Sequence, residues 1–220
     1  MILSTTEENY LKAIFKLSLK SPENISTNNI AAETQTTAAS VSDMLKRLSD
    51  KQLVAYEKYK GVQLTQEGKN IAIALIRSHR LWEVFLVDKL GYRWDEVHVL
   101  AEELEHIKTP DLVGRLEAFL NYPTHDPHGD PIPDAEGNIQ HHEPISLLEL
   151  SANEKALVLR VKEQSAEFLQ YLDRINLSLG ARLEILEVNN YDNSRLVKIN
   201  GAQPVFLSEK VSENLIVKRV

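Results

Sequence analysis

The chain has 220 residues, contains no cysteine and carries a formal net charge of −7. The lack of cysteine excludes disulfides, thiolate zinc sites and cysteine nucleophiles. No apolar stretch has transmembrane length and no secretion signal is visible at the N-terminus, so a soluble cytoplasmic protein is expected.

Residues 1–65 have the pattern of a DNA-binding module, the winged helix-turn-helix. Ser4 and Glu7 have the spacing of a capping box ahead of a helix with one apolar face. Two short helices joined by a tight turn follow, and two strand-like runs behind them complete the wing. The predicted elements are a helix after Ser4, a helix over residues 28–34 started by Thr27, a helix over residues 38–50, and strands over residues 53–57 and 62–64.

The third helix of this module is the candidate recognition helix. Its exposed positions carry short donors and acceptors with basic residues behind them, which suits base edges and phosphates. The hairpin tip adds two lysines placed to meet phosphate. The candidate DNA contacts are Thr36, Thr37, Ala39, Ser40, Ser42, Asp43, Lys46, Arg47, Lys58 and Lys60. The alternative is a three-helix bundle whose hairpin serves packing only.

The segment 66–143 is set apart by its charge and its histidines. It holds 7 basic and 15 acidic residues, and all seven histidines of the chain lie between His79 and His142. Like-charge repulsion disfavours such an imbalance unless a cation compensates for it. The composition of this segment therefore favours a metal site.

Four-residue spacing places candidate ligands on shared helical faces. A long helix is predicted between Thr65, which can cap it, and Gly91, and Asp95 can cap the next helix. His79 and Glu83 face the same side of the long helix. The second helix carries four candidates on one face, namely His98, Glu102, Glu105 and His106. Carboxylate and imidazole groups that converge from two helices can coordinate a divalent metal, although any single pair is more often solvated surface.

A further helix of this segment has an apolar stripe that fits either an ordinary core or a subunit interface. Thr109 and Pro110 predict its start, with Thr109 as the cap. The stripe consists of Leu112, Val113, Leu116, Phe119 and Leu120. Residues 121–144 then form a loop rich in proline, glycine and aspartate, which is the predicted domain boundary.

Beyond this loop the pattern turns to short strands, which predicts a small barrel-like β domain. The predicted strands cover residues 146–150, 156–161, 182–188, 196–200, 205–207 and 215–220, with one helix over residues 165–176. The expected fold is therefore mainly α with a small β domain.

The sequence resembles the diphtheria-toxin-repressor and manganese-transport-regulator family of metal-dependent repressors over nearly its whole length. The resemblance is carried by the run over residues 5–14, the winged helix, His79-Arg80-Leu81 with Glu83, Glu102 with Glu105-His106, and the loop over residues 127–133. It implies three domains: 1–65 for DNA binding, 66–143 for metal binding and dimerisation, and 144–220 as an SH3-like barrel similar to the iron-transport accessory protein FeoA.

Two metal sites are implied by this resemblance. The effector site would use Asn9, Glu102, Glu105 and His106, with Glu8 as an adjacent alternative to Asn9. The second site would use His79, Glu83, His98, His128 and Glu163, although His79 could serve either site. Manganese-type members carry aspartate at the position of Asn9 and iron-type members methionine, while Glu102 stands where iron-type members have cysteine. This set of oxygen and nitrogen donors favours Mn²⁺, with Fe²⁺ as the alternative and with Zn²⁺ or other divalent metals able to bind in vitro.

The function implied by the resemblance is that of a transcriptional repressor and not of an enzyme. A homodimer loaded with metal would bind a palindromic DNA operator, with no organic cofactor and no membrane partner. An iron-responsive repressor of the same family is the nearest alternative. A metal-dependent hydrolase is the alternative from another class, but the chain lacks a His-Glu-x-x-His motif and a nucleophile motif. A repressor that senses a small molecule and a metal-buffering protein are further options.

Overall fold

A computed structural model describes residues 2–20, 25–57, 61–109, 111–139 and 145–220. The helices are α1 (Thr5–Lys20), α2 (Thr27–Glu33), α3 (Ala38–Asp50), α4 (Gln66–Leu90), α5 (Val97–Leu104), α6 (Leu112–Phe119), α7 (Ala166–Arg174) and α8 (Glu209–Asn214). The strands are β1 (Val54–Glu57), β2 (Gly61–Leu64), β3 (Ile145–Ser146), β4 (Lys155–Val161), β5 (Arg182–Val188), β6 (Arg195–Ile199), β7 (Val205–Leu207) and β8 (Leu215–Arg219). Among the described residues, no helix is both long enough and apolar enough to cross a membrane.

The chain forms two compact units. The first comprises Met1–His79, Glu103–Gly114 and Pro133–Ile139 as far as these residues are described. It contains α1 to α3, the β1–β2 hairpin and the first half of α4. Its core includes the fully buried side chains Leu11, Ile14, Ile30, Leu45, Leu48 and Leu53. This order of helices and hairpin confirms the predicted winged helix-turn-helix.

Side-chain caps begin the helices of this unit. The capping box before α1 is confirmed, since Ser4 N–H donates to Glu7 Oε2 at 2.9 Å and Glu7 N–H donates to Ser4 Oγ at 3.3 Å. The cap of α2 is Ser26 and not Thr27, because Asn29 completes a capping box with Ser26. Each cap satisfies backbone N–H groups that the first helical turn leaves unpaired.

The long helix α4 begins against the hairpin. Thr65 caps it as predicted, accepting a hydrogen bond from Gly68 N–H at 3.1 Å. Gly68 is needed there because a Cβ at this position would lie 2.1 Å from the carbonyl oxygen of Leu53. Lys58 and Lys60, the predicted phosphate contacts, lie outside the described residues.

The second unit comprises Arg80–Glu102, Arg115–Ile132 and Gln140–Val220 as far as these residues are described. Its six-stranded sheet has the order β3-β8-β4-β5-β6-β7, and every neighbouring pair is antiparallel. Phe168, Leu169 and Leu172 of α7 are buried in the same core as the inward residues of the sheet. The alternating apolar residues that predicted strands therefore line one face of this sheet.

Several predicted boundaries were wrong. Residues 146–150 form little strand, because Ser146 caps a 3₁₀ turn over Leu147–Glu149. Asp95 does not begin α5; its carboxylate accepts hydrogen bonds from Arg93 and Gln170. The helix α6 begins at Leu112, whereas Pro110, its predicted first residue, lies outside the described residues, and α8 was not predicted. The cases of Ser146 and Asp95 reflect side-chain hydrogen bonding that the periodicity of apolar residues does not report.

Candidate metal centres and DNA interface

The first candidate metal centre lies in the first unit, where α1 meets the turn that follows α5. We call the α1 cluster the residues Glu8, Asn9, Lys12, His79, Glu105 and His106. Glu105 is 4% exposed, and its two carboxylate oxygens have different partners. Oε2 lies 2.6 Å from His79 Nδ1, and Oε1 lies 2.5 Å from Lys12 Nζ. Glu105 therefore joins α1, α4 and this turn at one buried point. It lies one residue beyond the end of α5 rather than on the helical face predicted for it.

His106 is held by a carboxylate at one ring nitrogen, and its other ring nitrogen has no hydrogen-bond partner among the described residues. Its Nδ1 lies 2.7 Å from Glu8 Oε2, and Glu8 Oε1 lies 2.7 Å from Lys108 Nζ. Its Nε2 is 3.6 Å from Glu105 Oε1. Within the described part of the chain, His106 Nε2 and Asn9 Oδ1 are buried without a hydrogen-bond partner. A proton on Nδ1 leaves a lone pair on Nε2, so two buried acceptors beside a buried carboxylate fit a divalent metal.

The second candidate centre lies in the second unit and consists of Glu83, Asp126 and His128, which we call the loop cluster. All three are buried, and their ligand atoms lie within 4.8 Å of one another. His128 Nδ1 is 3.5 Å from Glu83 Oε2 and 3.9 Å from Asp126 Oδ1. His128 Nε2 lies 2.8 Å from the carbonyl oxygen of Trp94, which it can reach only as a donor. Nδ1 faces the carboxylates of Glu83 and Asp126 and, once deprotonated, would present its lone pair to a metal. This arrangement is typical of a metal-binding histidine.

Protons compensate for charge in the loop cluster when no metal is bound. Burial raises the pKa of Asp126 to about 7, and the carboxylates of Asp130 and Glu83 add to the effect. Burial by itself lowers the pKa of His128, but Glu83 and Asp126 outweigh it and raise the pKa to about 9. Because metal ligands must be deprotonated, a metal ion bound here would replace these protons.

The loop that carries Asp126 and His128 is fixed from several sides. Asp126 Oδ1 accepts hydrogen bonds from the backbone N–H groups of His128 at 2.8 Å and Asp130 at 3.0 Å. Arg80 Nε lies 3.5 Å from Asp126 Oδ2. Gly129 has a φ of +86°, and a Cβ there would lie 2.1 Å from a carbonyl oxygen of β4. The loop thus holds its two polar side chains in place before any metal binds.

Asp126 was missed at the level of sequence. It comes two residues before His128 in the turn Asp126-Pro127-His128-Gly129, and an aspartate ahead of such a turn commonly accepts backbone hydrogen bonds. That signal indicates a fixed carboxylate beside His128. Only the approach of Glu83 to this turn identifies the carboxylate as a candidate ligand.

The remaining candidate ligands have other neighbours. His98 Nδ1 is 3.4 Å from Glu83 Oε1, and His98 Nε2 is 3.7 Å from Glu102 Oε1. Glu163 accepts a hydrogen bond from Ser165 Oγ at 2.8 Å and lies 3.8 Å from Lys210. It is not one of the three residues that form the loop cluster. The exposed His125 lies beside Thr124. His141 and His142 lie outside the described residues.

The candidate recognition helix α3 turns its polar face outward. Val41, Leu45 and Leu48 are buried beneath it. The exposed candidate contacts are Thr36, Thr37, Ala39, Ser40, Asp43, Lys46 and Arg47. Ser42 is half-buried and donates to the carbonyl of Ala38 at 2.9 Å. Thr37 also has a structural task, because it caps α3 by accepting from Ser40 N–H at 3.2 Å.

Both ends of α3 are tied to the first turns of α1. Tyr10 OH is hydrogen-bonded to Thr36 Oγ1 at 3.0 Å, just before α3 begins. Lys51, which caps the C-terminal end of α3, donates to Glu7 Oε1 at 2.6 Å. Glu7 and Tyr10 flank Glu8 and Asn9 of the α1 cluster in sequence. A single helical segment therefore carries candidate ligands and holds the recognition helix.

Comparison with known protein families accounts for the three parts of the chain. Residues 2–62 match the N-terminal DNA-binding domain of the iron-dependent repressors. Residues 65–134 match their metal-binding and dimerisation domain, and residues 145–219 match the FeoA domain.

Individual relatives agree with these matches. The iron-dependent repressor IdeR of Mycobacterium tuberculosis is 36% identical over 131 residues, which are 60% of this chain and 56% of the relative. The diphtheria toxin repressor of Corynebacterium glutamicum is 28% identical over 99% of this chain and 98% of its own length. A solved manganese-dependent transcriptional repressor in complex with manganese is 34% identical and superposes with a TM-score of 0.88. The match covers 97% of this chain and 100% of the solved chain. The manganese regulator SloR is 33% identical, with a TM-score of 0.77 over 97% of this chain and 98% of its own. The chain therefore belongs to the diphtheria-toxin-repressor family of metal-dependent, DNA-binding transcriptional repressors, which are not enzymes.

Proposed function

We propose that this protein is a Mn²⁺-dependent repressor that acts in the cytoplasm and binds a palindromic operator as a homodimer. The observation that carries the proposal is the pair of buried, unpartnered acceptors among the described residues of the α1 cluster, His106 Nε2 and Asn9 Oδ1, beside the buried carboxylate of Glu105. We assign residues 1–65 to DNA binding, 66–143 to metal binding and dimerisation, and 144–220 to the FeoA-like domain.

In the α1 cluster we assign Asn9, Glu105 and His106 as metal ligands. Glu8 has another role, because it lies 2.7 Å from His106 Nδ1 and orients the ring so that Nε2 is available. This division favours Asn9 over Glu8 as the donor from α1. A metal held here would supply a fixed positive charge where donors from α1 and from the turn after α5 converge. The assignment of Glu102 to this site stays a prediction based on its place on α5.

In the loop cluster we assign Glu83, Asp126 and His128 as ligands of a second metal. His98, which lies 3.4 Å from Glu83, is the nearest additional donor that we include. The assignments of His79 and Glu163 to this second site stay predictions. Because the cluster joins Glu83 of α4 to a loop packed on β4, we expect a metal held there to steady this unit rather than to act on DNA directly.

The preference for Mn²⁺ rests on the chemistry of the donors. Both clusters offer carboxylate and imidazole groups, the α1 cluster adds the amide oxygen of Asn9, and the chain has no cysteine. Hard oxygen donors suit Mn²⁺, whereas thiolate ligands favour softer metals. The solved relative with manganese supports this choice, while the similarity to an iron-dependent repressor keeps Fe²⁺ as the second candidate.

The switch that we propose is a linkage between the α1 cluster and α3. Glu7 and Tyr10 of α1 hold the two ends of α3, and Asn9 between them would be restrained when it holds a metal. If the operator prefers the restrained arrangement, metal tightens DNA binding and DNA tightens metal binding by the same factor. A coupling of roughly 1–3 kcal/mol is usual for such systems.

The proposed dimer uses the apolar face of α6. Phe119 is 64% exposed, and its ring centroid lies 6.2 Å from that of Phe85 on α4. Phe119 is exposed and Phe85 beside it is half-buried, and contiguous apolar surface commonly marks an interface. The match to a metal-binding and dimerisation domain supports this role for the segment.

Operator binding under controlled metal supply tests the proposal. DNA upstream of the gene for this protein serves as the probe in a gel-shift assay with Mn²⁺, Fe²⁺, Zn²⁺ or excess chelator. We expect Mn²⁺ to give binding that chelator reverses, and His106→Ala to lose the response while keeping its fold by circular dichroism. Binding that is equally strong with chelator would refute metal control, and a response to Fe²⁺ at lower concentration than to Mn²⁺ would establish the iron alternative.

A further inference from the structure

Lys12 is a buried cation inside the α1 cluster. The residue is 5% exposed, although lysine is seldom fully buried without a partner. Its Nζ lies 2.5 Å from Glu105 Oε1, whose side chain is 0% exposed. The ammonium group of Lys12 therefore already compensates the negative charge of Glu105, a proposed metal ligand.

This pairing has a consequence for metal binding. A metal at Glu105 and a lysine ammonium 2.5 Å from the same carboxylate compete for one oxygen, and their like charges repel strongly in a buried environment. Glu8 has a similar cation, Lys108, but the side chain of Lys108 is 50% exposed and solvent screens its charge. Solvent therefore screens the charge of Lys12 far less than that of Lys108.

We propose that Lys12 sets the metal concentration at which the protein responds, by acting as an internal competitor for Glu105. In the metal-free protein its ammonium neutralises Glu105 and stabilises the buried carboxylate. Metal binding displaces this ammonium from Glu105, which weakens the apparent affinity. The inference rests on the proposed metal site of the α1 cluster and adds the residue that tunes it.

Neutral replacements of Lys12 test the proposal in the full-length chain. Lys12→Met removes the charge and keeps an unbranched side chain of similar length, and Lys12→Gln keeps a hydrogen-bond donor for Glu105. Mn²⁺ is titrated in competition with a fluorescent chelator, and the binding step that His106→Ala removes identifies the α1 cluster. We expect both neutral variants to bind Mn²⁺ at this step about tenfold more tightly or better, a difference of about 1.4 kcal/mol. Lys12→Arg keeps the charge and should keep the parent affinity, as should Lys69→Gln, an exposed lysine of α4.

Thermal unfolding gives a second readout that does not depend on DNA binding. Without metal, the Lys12→Met variant has no ammonium group beside the buried carboxylate of Glu105. The unfolding midpoint of this variant should therefore lie below that of the parent. Saturating Mn²⁺ should restore the midpoint, because the metal takes over the compensation.

Two results separate failure of this inference from failure of the proposed function. If the parent and His106→Ala bind Mn²⁺ identically, the α1 cluster is not a metal site and both ideas fall. The parent could show the binding step that His106→Ala removes, while Lys12→Met and Lys12→Gln bind Mn²⁺ at that step no more tightly than the parent. The α1 cluster would then be a metal site, but Lys12 would not compete with the metal for Glu105. Weaker binding by both neutral variants would also overturn the inference, since it would show that Lys12 supports the metal.

Discussion

Lys51, at the C-terminal cap of α3, donates a hydrogen bond to Glu7 of α1 over 2.6 Å. This bond is the largest cause of the lowered pKa of the Glu7 carboxyl. Glu7 also closes the capping box with Ser4, so the same carboxylate begins α1 and ties down α3. The position of the recognition helix thus depends on a residue next to the α1 cluster.

Glu7→Gln should uncouple metal binding from DNA binding. The amide keeps the shape of the side chain but loses the charge that holds Lys51, at a cost to stability of about 1 kcal/mol because Lys51 is partly exposed. We expect Mn²⁺ affinity close to that of the parent and a clearly smaller increase of operator affinity on adding Mn²⁺. Isothermal titration with metal, followed by anisotropy with labelled operator, measures both quantities. An undiminished increase would contradict this role.

Asn9→Asp should strengthen metal binding in the α1 cluster. A carboxylate is a stronger ligand for a hard divalent ion than the neutral amide oxygen of Asn9. We expect Mn²⁺ to bind roughly tenfold more tightly, a change of about 1.4 kcal/mol. The matched control is Asn70→Asp on the exposed face of α4, which should leave the affinity unchanged. Equal affinity in Asn9→Asp and the parent would argue against Asn9 as a ligand.

Asp126→Ala should remove the metal of the loop cluster and leave that of the α1 cluster. The substitution takes away a buried carboxylate and the acceptor of two backbone hydrogen bonds in the loop. Equilibrium dialysis with Mn²⁺ should show one bound metal fewer per chain than in the parent. Asp88→Ala, an exposed carboxylate of α4, serves as the control. Glu163→Ala in the same assay tests the expectation that Glu163 is a further ligand.

The stability of the metal-free protein should fall as pH rises. The folded pKa of Asp126 is about 7 against an ordinary 3.8, and that of His128 is about 9 against 6.5. Between the ordinary and the folded pKa of each group, the folded state therefore binds more protons than the unfolded state. The stability that each group contributes is lost as pH rises through its folded pKa. Each extra proton changes the free energy of unfolding by about 1.4 kcal/mol per pH unit.

Thermal unfolding between about pH 6 and about pH 8 measures this effect. Mn²⁺ should raise the midpoint more at the higher pH, because fewer protons have to leave its ligands. Asp126→Asn removes one of the two titrating groups and should flatten the dependence. A metal-free midpoint that rises over this range would contradict the assignment.

Phe119→Glu should weaken the dimer. A charge on the exposed apolar face of α6 would have to be buried in the proposed interface, which costs several kcal/mol when it is unpaired. Light scattering at micromolar concentration should show a dimer for the parent and a smaller mass for the variant. Tyr191→Glu, at an exposed turn between β5 and β6, is the control. A parent that is monomeric with and without metal would refute the dimer.

Local sequence patterns determined the elements and much of the candidate chemistry. The capping box of Ser4 and Glu7, the cap at Thr65 and the alternating residues of β5 act through neighbours in the chain, so their structures follow from spacing. The clustering of histidines and acidic residues likewise indicated a cation site, because an excess of like charge needs compensation wherever it folds.

Tertiary structure decided which partner each polar group of the α1 cluster and the loop cluster has. Nothing in the spacing indicates that Lys12 lies against Glu105, that Glu8 orients His106, or that Asp126 lies beside Glu83. These pairs are far apart in the chain, and they meet only because buried apolar faces bring their helices and loops together. Burial also removes the water that would otherwise solvate each group, so a charged or unpartnered atom at such a point requires a counter-charge, a proton or a metal.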